Sequence, residues 1–175
     1  FSTKFKSPEK IAFGVSSAVK NIDSVDHQIL QALSMDAARS GRESARHLNL
    51  TPSTYQYRLR QLEEKNIITG YTYVINYSRL GMYEYRLLVS THDLDPSLPH
   101  KLEEFARKHK NIVYFIECIG TWDFELGAIV QDLHDIDAIL EDLHGKFSDV
   151  INSTQVLTSF GYPKVVRYPL EKLPG

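Results

Sequence analysis

The feature that most constrains this chain is a pair of helix-start signals set close together in its first half. Ser40-Gly41-Arg42-Glu43 has the S-x-x-E form of a capping box, in which each side chain satisfies the other residue's backbone N–H. Thr51-Pro52 is a second start. The threonine caps, and proline at the first helical position gives up an N–H that would have no partner inside the helix. A helix that begins at Ser40 must therefore stop near Asn49-Leu50, with only a short turn before the next. A third start lies upstream: Asp23 is a good N-cap, Asp26 sits near the positive end of the helix dipole, and Val25, Ile29, Leu30 and Leu33 follow at helical spacing. That helix should end near residues 34–36. In the last of the three, Tyr55, Leu59 and Leu62 form the buried stripe, and Asn66 ends the helix because asparagine tolerates a left-handed backbone. Three helices with a tight turn between the second and third make a helix-turn-helix.

The second half alternates differently. Residues 85–90 read as a strand, 98–109 as a helix with Leu102, Phe105 and Ala106 inward, and 112–119 and 124–130 as two strands. Residues 136–146 then read as a helix with Ile136, Ile139, Leu140 and Leu143 inward, and 150–160 as a last strand. The order β-α-β-β-α-β is that of the ferredoxin-like split βαβ fold, four antiparallel strands with both helices on one face. The other face then needs a cover, and a second copy of the same domain supplies one. Between the halves, Ile67-Ile68 and residues 71–75 alternate around Gly70 and predict strand material, a wing beside the helices. The fold class expected is α+β: a winged helix-turn-helix followed by a ferredoxin-like βαββαβ domain. The divisions expected are a leader or remnant of an upstream region over residues 1–21, with a short strand at 11–15, and a DNA-binding domain over 22–75. A linker over 76–82, a ferredoxin-like domain over 83–170, which the resemblance given below implies to be the effector and oligomerisation domain, and a tail over 171–175 complete them.

Composition narrows the function. Hydrophobic residues make up 42% and charged residues 24%, an ordinary globular balance, and no run approaches the roughly 18 apolar residues of a membrane helix. The start of the chain lacks the apolar core of a secretory signal, and the single cysteine, Cys118, rules out an internal disulfide; both fit the cytoplasm. Net charge is only −2, but its distribution is uneven. From Arg39 to Gln61 five arginines (Arg39, Arg42, Arg46, Arg58, Arg60) face one acid, Glu43, for a net of +4. From Thr91 to Lys146 twelve acids face five lysines or arginines, for a net of −7. A basic module joined to an acidic one suits a DNA reader attached to something that does not touch DNA, although chance segregation of solvated charge gives the same sums.

On the third helix, with positions 55, 59 and 62 buried, a step of about 100° per residue puts Ser53, Tyr57 and Arg60 on the opposite side and Gln56 near the edge. Arginine can fork onto guanine, glutamine onto adenine, and tyrosine can meet a phosphate or a thymine methyl. Arg58 lies on the flank and suits a phosphate, as do Arg39 and Arg42 near the start of the second helix. The candidate DNA-binding set is Arg39, Arg42, Ser53, Thr54, Gln56, Tyr57, Arg58 and Arg60. The bland reading of the same residues is an exposed polar face on a three-helix bundle. The seven histidines form no metal-binding spacing, so solvated histidines are expected and neither metal nor cofactor. Cys118 falls in a strand expected to be buried and reads as core.

Ile22-Asp23-Ser24-Val25-Asp26-His27-Gln28-Ile29-Leu30, Asp36-Ala37-Ala38-Arg39-Ser40, Arg58-Leu59-Arg60-Gln61-Leu62-Glu63 with Ile67-Ile68-Thr69-Gly70-Tyr71, and Gly120-Thr121-Trp122-Asp123-Phe124, taken together in this order, resemble the leucine-responsive/asparagine-operon (Lrp/AsnC) regulator family from about residue 22 to 170. Residues 22–30 are similar to its opening L-D-x-x-D-x-x-I-L, and Asp36-Ala37-Ala38-Arg39-Ser40 to its D-x-x-R-x turn. Residues 58–63 followed by Ile67-Ile68-Thr69-Gly70-Tyr71 are similar to R-I-x-x-L-E-x-x-G-V-I-x-G-Y. Gly120-Thr121-Trp122-Asp123-Phe124 is similar to the G-x-x-D-[YF] turn of the effector domain. Departures are Ser44 for the usual leucine, which predicts looser packing of the second helix, Asn66 for a glycine, and Tyr55-Gln56-Tyr57 where a small apolar residue is usual first. The resemblance implies a DNA-binding transcription regulator that works as a homodimer, growing to tetramers or octamers, on double-stranded DNA. It also implies a small effector, an amino acid, near Gly120, Thr121, Trp122 and Asp123, where a carboxylate beside a glycine suits an ammonium group. The plain alternative for that turn is a β-hairpin packed by Trp122. Two other functions share the two-domain plan: a haem-pathway decarboxylase-like enzyme, and an effector-binding module without DNA binding.

Overall fold

The structure, a computed structural model, describes residues 21–92, 95–159, 161, 166, 168 and 169. The leader with its strand at 11–15, and the tail at 171–175, lie outside the described residues. Two compact units emerge, residues 21–73 with 166, 168 and 169, and residues 74–161.

The first unit holds three helices: α1 (Ser24–Met35), α2 (Gly41–His47) and α3 (Pro52–Glu64). All three start as their sequences require. Asp23 accepts from the Val25 and Asp26 N–H groups, while the Asp26 carboxylate takes the Asp23 N–H at 3.2 Å, a full capping box. Ser40 and Glu43 form a second box, and Thr51 accepts the Thr54 N–H at 3.1 Å with Pro52 at the first helical position. The ends of α2 and α3 repeat one device. Asn49 and Asn66 both have φ of 55°. At α2 the Leu50 N–H donates to Ala45 O at 2.8 Å and Asn49 N–H to Arg46 O at 3.2 Å; at α3 the Ile67 N–H donates to Leu62 O and Asn66 N–H to Glu63 O, both at 2.9 Å. These are Schellman closures, with asparagine carrying the left-handed residue in place of glycine. Ile29, Leu30, Ala45, Tyr55 and Leu62 form the core of this unit. Ser44, expected to loosen α2, is itself buried.

Two expectations fail here. No wing forms: residues 65–76 pair into no strand, and Tyr73 and Val74 stand about 80% exposed. Alternation alone cannot make a strand without a partner edge to complete its backbone hydrogen bonds. The described residues near 168 belong with the first unit rather than with the sheet domain expected to run to 170. Tyr168 packs against the first core and its hydroxyl meets His27 Nδ1, and Pro169 O accepts from Gln31 Nε2 at 3.4 Å.

The second unit opens with a 3₁₀ turn, Tyr77–Leu80, inside the expected linker, and continues β1 (Tyr83–Thr91), α4 (Leu98–Lys108), β2 (Ile112–Glu117), β3 (Phe124–Val130), α5 (His134–Phe147) and β4 (Ile151–Ser159). The four-stranded sheet is antiparallel, in the order β2-β3-β1-β4, as the split βαβ reading requires. Leu87 pairs with Leu126, Val89 with Phe124 and Tyr85 with Ala128, so these residues share one face; they pack there with Leu102, Phe105, Ile136, Ile139 and Leu143 of the helices. The opposite face carries Arg86, Leu88, Tyr114, Ile116, Glu125, Ile129 and Leu157, a mixture of apolar and charged groups. On that face the Tyr114 hydroxyl donates to Glu125 Oε1 at 2.8 Å, and Arg86 Nε lies 3.7 Å from the same oxygen. Burial and the Glu125 carboxylate both push the Tyr114 phenol far above its ordinary value.

The turn between α2 and α3 depends on one left-handed residue. Asn49→Val should lower the unfolding free energy by about 1–2 kcal/mol, the cost of a branched residue in that backbone region, whereas Asn49→Gly should not lower it. Urea denaturation followed by far-ultraviolet circular dichroism measures both.

Candidate nucleic-acid interface

The three capped helices bring one polar surface together. Along α3, Tyr55 and Leu62 are buried and Leu59 half-buried, which turns Ser53, Thr54, Gln56, Tyr57 and Arg60 outward, all exposed. Tyr57 is 62% exposed, so its ring and hydroxyl are open to a partner. Ser53 and Thr54 are partly committed: their hydroxyls lie 3.0 and 2.8 Å from Thr51 Oγ1, inside the N-cap network. Arg39 and Arg42 are exposed around the start of α2, Arg39 with its Nε 3.5 Å from Asp36. A cleft of about 480 Å³ beside them is lined by Asp36, Ala38, Arg39, Glu43, Arg46 and His47, and its mixed charge makes it a poor phosphate cradle.

Arg58 departs from the expected role. Its guanidinium Nη1 donates to Asp23 and, at 3.1 Å, to Asp26, whose side chain is only 7% exposed. The same two carboxylates build the capping box of α1. Arg58 thus ties α3 to the first turn of α1 and neutralises a buried acid, which a phosphate contact would compete with. The hydrogen bond from Arg58, reinforced by the Asp26 N–H, holds the Asp23 carboxyl below its usual range, and Asp23 and Asp26 in turn raise the guanidinium further. Sequence reasoning placed Arg58 by angle alone. The signal it left unused was the pair of acids three residues apart at the start of α1.

The second candidate, the turn between β2 and β3, is tightly built. The Asp123 N–H donates to Val89 O at 3.0 Å, and Asp123 O accepts the Cys118 N–H at 2.7 Å. Asp123 Oδ2 accepts from both the Thr91 N–H at 2.7 Å and the Thr91 hydroxyl at 2.9 Å, and Thr121 O accepts the Ser90 hydroxyl at 3.1 Å. Gly120 has φ of 153°, a region that side chains rarely adopt, and is exposed with Thr121; Trp122 is half-buried. One carboxylate oxygen of Asp123 therefore fastens the turn to β1. Cys118, expected in a buried strand, instead follows the end of β2 and is only partly buried, because β2 stops at Glu117. Burial pushes its thiol up, opposed by the neighbouring Trp122 N–H. Among the described residues no three His, Cys, Asp or Glu side chains group to hold a metal ion, and no helix is long and apolar enough to cross a membrane.

A capped helix-turn-helix with an exposed polar third helix, in one chain with a βαββαβ sheet, is the plan of a two-part regulator. The sequence pattern of the AsnC-type helix-turn-helix domain matches residues 22–63. The chain is 35% identical over 132 residues to the HTH-type transcriptional regulator LrpA of Pyrococcus horikoshii, covering 74% of this chain and 90% of that protein. It is 32% identical over 124 residues to Ptr1 of Methanocaldococcus jannaschii, an HTH-type transcriptional regulator, covering 69% and 80%. The chain belongs to the Lrp/AsnC family of transcriptional regulators. Its fold is that of a Neisseria meningitidis transcriptional regulator solved as an L-Met complex (TM-score 0.72, 19% identity, 85% of this chain and 96% of that one). Escherichia coli AsnC shares it too (TM-score 0.62, 22% identity, 83% and 97%).

Because Arg58 is held by two carboxylates, Arg58→Ala should lower the melting temperature of the first unit yet leave the salt slope of DNA binding unchanged. A lost phosphate contact would reduce that slope by about one. The depressed Asp23 carboxyl sets a pH dependence as well. Its contribution is complete above the unfolded carboxylate value near pH 4 and is lost as pH falls through the lower folded value, so acid should erode the wild type more than Asp23→Asn. Thermal melts from pH 7 to pH 2.5, with anisotropy titrations at several salt concentrations, check both.

Proposed function

We propose that this chain recognises specific double-stranded DNA with the outer face of α3, pairs with a second copy through the open face of its sheet, and answers to an amino-acid-like effector. The observation that carries the DNA reading is the row Ser53, Gln56, Tyr57 and Arg60, outward on a helix that, like its two neighbours, starts at a side-chain cap. Arg60 and Gln56 have the donor geometry to address guanine and adenine edges, and Arg39 and Arg42 suit backbone phosphates near the start of α2. Arg58 drops out of the contact set, since it already serves α1.

Support for a dimer comes from the sheet. Leu157 and Ile116 are 46% exposed on a face that neither helix covers, beside the Tyr114–Glu125 pair. A second copy laid on that face would bury apolar area and keep the polar pair satisfied. Growth from dimers to tetramers or octamers belongs to the same reading. Support for the effector comes from the family and from the Neisseria meningitidis relative in its L-Met complex. Gly120 and Thr121 are the exposed residues of the turn, and Trp122 backs it. Asp123 enters as the residue that shapes the turn, with its Oδ2 on Thr91.

Arg60→Ala should cut the ratio of specific to non-specific affinity, by about 1–3 kcal/mol for a lost bidentate base contact, with melting temperature unchanged. An unchanged ratio in anisotropy competition would mean that α3 is docked on another face. For the effector, calorimetric titration with the twenty amino acids, methionine first, should give millimolar or tighter binding by at least one. Light scattering with and without that amino acid should then show a shift in oligomer size from an assembly larger than the 20.1 kDa chain. Absence of binding by all twenty would end the amino-acid reading.

A further inference from the structure

Gly41 is the first residue of α2, a position that does not need glycine for its backbone. Its φ is not among the positive ones. Glycine is also a poor helix former, so nothing local favours it there. What it provides is space. A Cβ at Gly41 would fall 2.5 Å from Gln56 Nε2 and 3.8 Å from Gln56 Cδ, while the other neighbour, Tyr55 Cε1, would stay at an ordinary 3.6 Å. The one group a methyl would displace is therefore the side-chain amide of Gln56, which lies across the first turn of α2.

That amide is the chemically informative end of an exposed residue on α3. A glutamine on an open helix face has three torsions to spread over, and reading adenine requires its carbonyl and amino groups to meet N6 and N7 together. A side chain at position 41 would occupy the place where that amide lies and so change the orientations open to it before DNA arrives. We infer that Gly41 is a specificity-determining positioning residue: by lacking a side chain it seats the Gln56 amide against α2 and so fixes which base Gln56 reads. This rests on the reading of α3 as the DNA-reading helix.

The experiment uses the full chain as wild type, Gly41→Ala, Gln56→Ala and the double variant, each selecting from a random double-stranded DNA pool, with melting temperatures taken in parallel. Gly41→Ala should melt no lower than wild type and keep its non-specific affinity. It should lose preference, by about tenfold, at the same base pair at which Gln56→Ala loses it, and should change nothing further in the Gln56→Ala background. Non-specific affinity and melting temperature report a merely structural role; the base-preference profile reports positioning. If Gly41→Ala retains the wild-type profile, or if Gln56→Ala does, the inference is overturned. Should Gly41→Ala fail to fold, the double variant decides. Recovery of folding when Gln56 is shortened supports the contact, and its failure overturns it. A wild type that enriches no motif at all refutes the DNA-reading role of α3 itself, a result distinct from an enriched motif that Gly41→Ala leaves untouched.

Discussion

A helix of seven residues is nearly all ends, and that fact governs the first unit. The first four N–H groups and last four C=O groups of any helix have no partner inside it, so α2 has almost no interior hydrogen bonding of its own to rely on. Its stability comes from what closes it: Ser40 with Glu43 at one end, the left-handed Asn49 at the other. The closure at Asn49 also sets the chain's direction into Thr51, whose cap starts α3 at once. The orientation of the outward row on α3 thus follows from satisfied backbone groups two and three residues earlier. Apolar packing of Ala45 against Ile29, Tyr55 and Leu62 then holds the arrangement, but the small area those side chains cover on so short a helix would not hold it alone.

Features that depend on neighbours in sequence were legible, and those that depend on neighbours in space were not. Asp23, Ser40, Thr51 and Asn66 act within three or four residues of themselves, and each was readable as a cap. The antiparallel four-stranded sheet followed from the alternation of strands and helices, because a βαββαβ chain has few compact ways to close. The wing failed for the opposite reason. The pattern of residues 71–75 records alternation but not whether a partner edge exists, and here Tyr73 and Val74 face solvent. The tie from Arg58 to α1 was not legible, because its angle on α3 fits both a phosphate outside the unit and Asp23 and Asp26 within it. Only the packing of α1 against α3 separates the two. Gly41 gave no sign, since a glycine beside a capping serine reads as tolerance rather than as room kept for Gln56.

In the second unit the turn between β2 and β3 shows how one acid can serve a structure so fully that its chemistry is hard to read from type alone. Asp123 offers its backbone N–H to Val89, its carbonyl to Cys118 and one carboxylate oxygen to Thr91 twice over. A carboxylate oxygen that already accepts two hydrogen bonds, at 2.7 and 2.9 Å, has little room left for an ammonium group. The turn's exposed part, Gly120 and Thr121, is therefore held in place by a residue that points back into the sheet. A ligand meeting this turn would meet a preformed surface, which favours affinity through lower ordering cost rather than through the acid's charge.

The same distinction changes the electrostatics of the reading head. By composition, residues 39–61 carry a net charge of +4. Within the folded unit, Arg58 is matched by Asp23 and Asp26, and Arg39 has Asp36 at 3.5 Å. Those three acids lie outside the counted segment, so composition overstates the positive field that approaching DNA would feel. Arg42, Arg46 and Arg60 carry the part of that field that is left, and Glu43 sits among them inside the Ser40 cap. A modest field implies a modest counterion-release contribution, because that contribution scales with the number of phosphates neutralised. Bulk charge on this unit is then a small source of affinity, and short-range contacts have to supply more of it. This makes the seating of individual side chains on α3 matter more than it would on a strongly basic surface.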